Sequence, residues 1–97
     1  MWAIELGFSA SDARLARRAA HRQRLFDLHD HGLVPMAGPF ADDSGALIII
    51  DVPTRDDLDA LMQQDPYFST QGVTVRSIRQ WEPFIVPADD HASSNNL

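Results

Sequence analysis

The chain has 97 residues, a formal net charge of −6 and no cysteine. That length is enough for one small domain, and the acidic balance argues against binding to nucleic-acid phosphates or to an anionic membrane surface. The lack of cysteine excludes disulfides, a thiolate nucleophile and a thiolate metal site.

The first third of the chain predicts a strand followed by a long helix. Residues 2–8 alternate between apolar side chains and small or polar ones, which is the pattern of a half-buried strand. Residues 9–11 supply helix-start chemistry, and the run that follows contains neither Gly nor Pro. It predicts a helix over about residues 12–30, which Gly32 ends as a C-terminal cap.

Two strands joined by a turn are predicted next. Residues 33–40 are expected to form a strand, but Pro35 and Pro39 confine it to an edge or an irregular position, because proline cannot donate to a ladder. The turn cluster 41–45 leads into residues 46–52, which are apolar on both faces, as in a central strand.

A second helix and a last strand complete the pattern. Thr54 is a suitable N-cap, and the helix is expected to end near Gln64, because the residue before Pro66 disfavours helical geometry. Residues 73–81 predict the last strand, and residues 88–97, rich in Asp, Ser and Asn, predict disorder.

This order of elements predicts a ferredoxin-like α+β domain, βαββαβ, over residues 1–84, with a flexible tail over residues 85–97. Right-handed crossovers would place both helices on one face of a four-stranded antiparallel sheet. The opposite face then needs a cover, because the third strand is apolar on both sides. Packing sheet to sheet against a second copy is the simplest cover, so the sequence predicts a homodimer.

Two ionisable residues interrupt the apolar faces of the two helices. His21 shares a face of the first helix with Leu25, and Asp65 follows the apolar stripe over residues 58–62 of the second. With both helices on one side of the sheet, imidazole and carboxylate can meet and form a general base. Two simpler interpretations stay open: a buried histidine that is only hydrogen bonded, and an aspartate that ends a helix by bonding its own backbone.

Four further residues are candidates for binding a ligand. Arg18 lies one turn before the histidine and can bind a carboxylate or an enolate oxygen, although an ion pair with Asp65 or another carboxylate is an equal alternative. Tyr67 and the backbone of Gly38 and Pro39 can line the same pocket, or they can serve packing alone.

The spacing of the other histidines and the distribution of the arginines argue against a metal site and against a nucleic-acid-binding surface. His29 and His31 are two residues apart and do not share a helical face, and no cysteine or nearby glutamate completes a ligand set. We interpret them as solvated helix-end residues and expect no metal or other cofactor. Most of the arginines of the first helix are interpreted as a solvated face: Arg14, Arg17, Arg18, Arg22 and Arg24.

Several of these residues, in this order and on these elements, resemble the YciI-like (YCII-related) family, and the resemblance extends over about residues 1–84. The residues are Arg18-Ala19-Ala20-His21, Leu25, Leu28-His29-Asp30-His31-Gly32, Ala37-Gly38-Pro39 and Asp65-Pro66-Tyr67. The resemblance implies a dimeric α+β barrel, with two sheets face to face, and an active site built on a His–Asp dyad. It also implies kinship with small lyases, such as dehydrochlorinases of aromatic degradation, and a fold shared with muconolactone isomerases.

We therefore expect a small homodimeric enzyme, a lyase or isomerase that abstracts a proton from a small aromatic or acidic metabolite, with His21 and Asp65 as its dyad. The lack of cysteine and of a Gly-x-Ser-x-Gly elbow favours this chemistry over acyl transfer. The alternatives are a non-catalytic ligand-binding or accessory module of a larger enzyme system, and a dimer whose His–Asp pair is only structural. No segment resembles a signal peptide or a membrane span, so we expect a cytoplasmic protein.

Overall fold

Strands and helices follow the predicted order in the computed structural model, which describes residues 1–87 of the chain. The elements are β1 (Trp2–Phe8), α1 (Asp12–Asp30), β2 (Met36–Pro39), β3 (Gly45–Ile50), α2 (Arg55–Gln63) and β4 (Val73–Gln80). A short 3-10 helix at Pro66–Ser69, which the sequence did not predict, lies between α2 and β4. The predicted disorder over residues 88–97 falls outside the described residues.

The four strands form one antiparallel sheet in the order β2-β3-β1-β4. The two prolines had placed β2 at an edge and the apolar run had placed β3 inside the sheet, and both predictions are confirmed. β2 is shorter than the predicted 33–40 and ends at Pro39. Beyond its ends single backbone bonds to the β3 side continue, from Phe40 N–H to the Gly45 carbonyl and from Asp51 N–H to the Leu33 carbonyl.

Both helices pack on the same face of this sheet, as predicted. Ile4 and Leu6 of β1 and Ile48 and Ile50 of β3 form a buried cluster with Leu58 of α2. The apolar side chains of α1 that pack against this cluster, Leu25 and Leu28, are half-buried. This arrangement brings the inner face of α1 close to the end of α2.

Local interactions fix where α1 begins and ends. The Ser11 hydroxyl accepts from the Arg14 backbone N–H at 3.2 Å. At the other end Gly32 has a φ of +80°, and the Leu33 N–H donates to the Leu28 carbonyl at 2.9 Å. This is a glycine-terminated helix end, as predicted, and it fixes the helix on which the candidate site depends.

Candidate active site

The structure brings the two interrupting residues of the helix faces into contact. Nδ1 of His21, on α1, lies 2.6 Å from Oδ2 of Asp65, which follows α2. Their side chains are 7% and 6% exposed, respectively. The bond therefore joins the two helices across the core side of the sheet and is shielded from competing water.

Asp65 uses its two carboxylate oxygens for two different tasks. Oδ1 accepts from the Tyr67 backbone N–H at 3.0 Å and caps the 3-10 helix, while Oδ2 bonds His21. The helix-stop interpretation and the pairing with histidine are thus both correct. Because the cap fixes the carboxylate from its other side, the oxygen that faces the imidazole is held in place.

Aromatic rings hold the imidazole from two directions. The Tyr67 ring stacks on His21 with centroids 4.0 Å apart and an angle of 12°, and Phe68 meets it edge-on at 5.5 Å. Arg14 donates to the Tyr67 hydroxyl at 3.3 Å and lies 4.3 Å above the Phe8 ring. Tyr67 is buried, and its ring both packs in the core and holds the orientation of the His21 imidazole.

Sequence reasoning missed the positioning roles of Phe68 and Arg14. Phe68 directly follows the Asp65-Pro66-Tyr67 segment, so its proximity to the dyad had a sequence signal. Arg14 lies two helical turns before His21 on the same face. The sequence pattern places Arg14 among the solvated arginines, whereas the structure shows it half-buried, with its guanidinium group bonded to the buried Tyr67.

Burial lowers the pKa of His21 below its ordinary value of 6.5, and the hydrogen bond and the charge of Asp65 oppose this shift without cancelling it. The imidazole is therefore mainly neutral at pH 7, and its Nδ1–H donates a hydrogen bond to Asp65. Among residues 1–87, Nε2 has no hydrogen-bond partner, yet it is not sealed from solvent. It carries a free lone pair, as a general base requires.

A cavity of about 660 Å³ opens between α1 and the β2–β3 half of the sheet, and His21 forms part of its wall. The predicted ligand-binding residues all line it: Arg18, Tyr67, Gly38 and Pro39. Asp65 does not line the cavity and lies behind the imidazole. The structure thus groups these residues around one space, and their roles in binding stay predictions.

Arg18 does not pair with Asp65. Within the described part of the chain it forms no ion pair and no side-chain hydrogen bond. The arginine that approaches the carboxylate is Arg24, whose Nε lies 4.0 Å from Oδ2. Arg24 also donates to the Leu61 carbonyl and to the Gln64 side chain, so its half-buried guanidinium links the two helices.

A model of the YCII-related domain matches residues 3–82. The chain belongs to the YCII-related domain family.

A solved structure supports the fold of this YCII-related protein. It is the 5-chloro-2-hydroxyhydroquinone dehydrochlorinase of Burkholderia phenoliruptrix, in complex with 2,5-dihydroxybenzoquinone. The two are 15% identical, with a TM-score of 0.55, and the match covers 84% of this chain and 94% of the dehydrochlorinase. At this identity the likeness shows a shared fold. A search of the curated proteins finds no match.

Two other histidines of the YCII-related protein are bonded to backbone carbonyls. Nδ1 of His29 bonds the Val34 carbonyl and Nδ1 of His31 bonds the Asp27 carbonyl, each at 2.7 Å. Over residues 1–87 no three side chains of His, Cys, Asp or Glu are grouped to hold a metal ion. Nor does any helix in that range have the length and apolar content to cross a membrane.

Proposed function

We propose that this YCII-related protein is an enzyme that abstracts a proton from a small ligand and catalyses an elimination or an isomerisation. One observation carries the proposal: the buried 2.6 Å bond between His21 and Asp65, beside a cavity large enough for a small molecule. In this proposal His21 is the general base and Asp65 is the residue that positions it.

The geometry supports one direction for the proposed proton transfer. Asp65 accepts a hydrogen bond from Nδ1–H, which selects the tautomer with a lone pair on Nε2. Nε2 takes the proton from the ligand, and the nearby carboxylate stabilises the imidazolium that forms. Because Tyr67 and Phe68 pack against the ring, it does not have to reorient during the transfer.

The composition of the cavity wall favours this reaction class over covalent catalysis. Among residues 1–87, those that line the cavity include no serine, threonine or lysine, and the chain has no cysteine. Proton abstraction followed by elimination or isomerisation requires no such nucleophile. The shared fold with a dehydrochlorinase, whose name denotes loss of hydrogen chloride, supports the same class.

We also propose that the protein functions as a homodimer whose sheets pack face to face. The face of the sheet opposite the helices carries Met36 and Leu47, which are 44% and 40% exposed. Four and five residues beyond the end of β4, Phe84 and Ile85 are 93% and 80% exposed. These apolar side chains would be buried by a second copy.

Proton exchange in D₂O tests the proposed chemistry on several candidate ligands at once. A panel of enolisable cyclic ketones and chlorinated hydroquinones is incubated with the protein, and loss of the C–H signal and release of chloride are followed. Wild type is expected to accelerate exchange or chloride release for some members of the panel. His21→Ala and Asp65→Asn are expected to lose at least about a hundredfold in rate, the lower range for general-base catalysis.

Arg17→Gln is the matched control, since Arg17 is exposed on α1 and does not line the cavity. It is expected to keep the wild-type rate. A folded His21→Ala variant that retains the rate would contradict the proposal. Binding of panel members without any exchange or chloride release would favour the non-catalytic ligand-binding module instead.

A further inference from the structure

The cavity wall is strongly cationic in a protein that is acidic as a whole. Arg14, Arg18 and Arg22 all line it, although the formal net charge of the chain is −6. Within the described range 1–87, the one carboxylate that lines the cavity is that of Asp43, in the turn before β3. The local excess of positive charge therefore lies along the side of the cavity that α1 forms.

The three arginines differ in their interactions: within residues 1–87, the Arg14 guanidinium has a side-chain hydrogen bond, whereas those of Arg18 and Arg22 have none. Arg14 bonds the Tyr67 hydroxyl and packs over Phe8. Arg18 and Arg22 are exposed and make no ion pair and no side-chain hydrogen bond to any residue in the range 1–87. Being four residues apart on a helix, they repel each other, and this repulsion costs some helix stability.

The two free guanidinium groups flank the candidate base. Arg18 precedes His21 by one helical turn, and Arg22 is the residue directly after it. The deeper part of the wall is apolar and includes Leu25, Val34 and Ile48. A ligand that complements both the cationic and the apolar part of the wall has an apolar body and one anionic group near the imidazole.

We propose that Arg18 and Arg22 form an anion subsite and that the protein takes a small ring-bearing carboxylate as its substrate class. The inference rests on the proposed function for the role of His21, while the anion subsite itself depends only on the cavity and its charges. The carboxylate bridges the two arginines through charge-assisted hydrogen bonds, and the ring lies against the apolar wall.

Calorimetric titration with salicylate and salicylamide tests the subsite. These probes have the same ring and differ in the charge of one group. Wild type is expected to bind salicylate at least about tenfold more tightly than salicylamide, the ratio for one hydrogen bond to a charged group. Arg18→Gln and Arg22→Gln are each expected to lose about tenfold for salicylate and to leave salicylamide unchanged.

Two further variants separate this inference from the catalytic proposal. Arg17→Gln, which removes an exposed charge from the same helix outside the cavity, is expected to retain the full preference for salicylate. His21→Ala, whose fold is checked by circular dichroism, is expected to keep the preference for salicylate over salicylamide. It is expected to lose proton exchange with the ligands of the D₂O panel. If wild type prefers salicylate over salicylamide but exchanges no proton with any ligand of the D₂O panel, the anion subsite is supported and the catalytic role of His21 is refuted.

Three results would overturn the subsite. The first is equal affinity of wild type for both probes, and the second is no binding of salicylate. The third is a loss in Arg17→Gln as large as the loss in Arg18→Gln, which would reduce the effect to the overall charge of the helix.

Discussion

His21 is a polar residue at a position of α1 where an apolar side chain would ordinarily face the core. Its environment compensates for this: Asp65 bonds one ring nitrogen, and Tyr67 and Phe68 pack on the ring. Removing the Asp65 carboxylate would leave the buried Nδ1–H without a hydrogen-bond partner. The histidine is thus supported by its surroundings, and its free Nε2 remains beside the cavity.

At the scale of this residue we expect a characteristic dependence of stability on pH. Burial holds the pKa of folded His21 below the ordinary value of 6.5, so the unfolded chain binds a proton that the folded protein does not. Well above pH 6.5 the imidazole is unprotonated in both the folded and the unfolded state, so His21 adds nothing to the pH dependence of the free energy of unfolding. As the pH falls from 6.5 towards the lowered pKa the free energy of unfolding decreases, and below the lowered pKa it levels off.

Urea unfolding of wild type and of His21→Gln across this pH range measures the effect. Glutamine does not titrate, so the stability advantage of wild type over the variant should narrow as the solution becomes more acidic. An advantage that widens instead would show that Asp65 raises the pKa of His21 more than burial lowers it.

At the scale of the elements, close approach of β1 and β3 fixes the part of the sheet beneath the cavity. Gly45, the first residue of β3, lies opposite Gly7 in the ladder. A Cβ at position 45 would lie 1.9 Å from the Leu6 carbonyl oxygen, which is backbone and cannot move aside alone. Only glycine allows the two strands to pair at this point.

We expect Gly45→Ala to lower the free energy of unfolding by about 3 kcal/mol, because the strands must separate to admit the methyl group. Gly38→Ala on the neighbouring strand is the matched control, since a Cβ there meets nothing within 4 Å. It should stay within about 0.5 kcal/mol of wild type. Denaturant titration of both variants measures the difference, and equal losses would contradict the argument from close approach.

At the scale of the whole molecule, the apolar side chains on the open face of the sheet predict self-association. Wild type should sediment at about twice the 10.8 kDa mass of one chain. Leu47→Glu places a charge in the proposed interface and should shift the protein to the monomer. Analytical ultracentrifugation measures both species.

Leu15→Glu is the control for this test, since Leu15 is 47% exposed on α1 and lies away from the open face. It should leave the sedimentation of the wild type unchanged. A monomeric wild type, or a dimer that persists in Leu47→Glu, would refute sheet-to-sheet packing.

The sequence by itself determined the order of the strands and the two longer helices and where those helices begin and end, because helix ends depend on neighbouring residues. Ser11, Thr54 and Gly32 carry the cap chemistry of the helices, and the structure shows each of them in that role. Pro35 and Pro39 set the edge position of β2 through their missing N–H groups. Hydrophobic periodicity then gave the order of strands and helices, and with it the ferredoxin-like fold.

Only the tertiary structure decided which side chains meet. The bond between His21 and Asp65 spans 44 residues, and its length depends on how α1 and α2 pack on the sheet. Packing also brought Arg24 near the carboxylate, turned Arg14 inward and left Arg18 beside the cavity. Residue spacing defines the face of a helix on which a side chain lies, whereas distances between helices arise from the packing of the whole core.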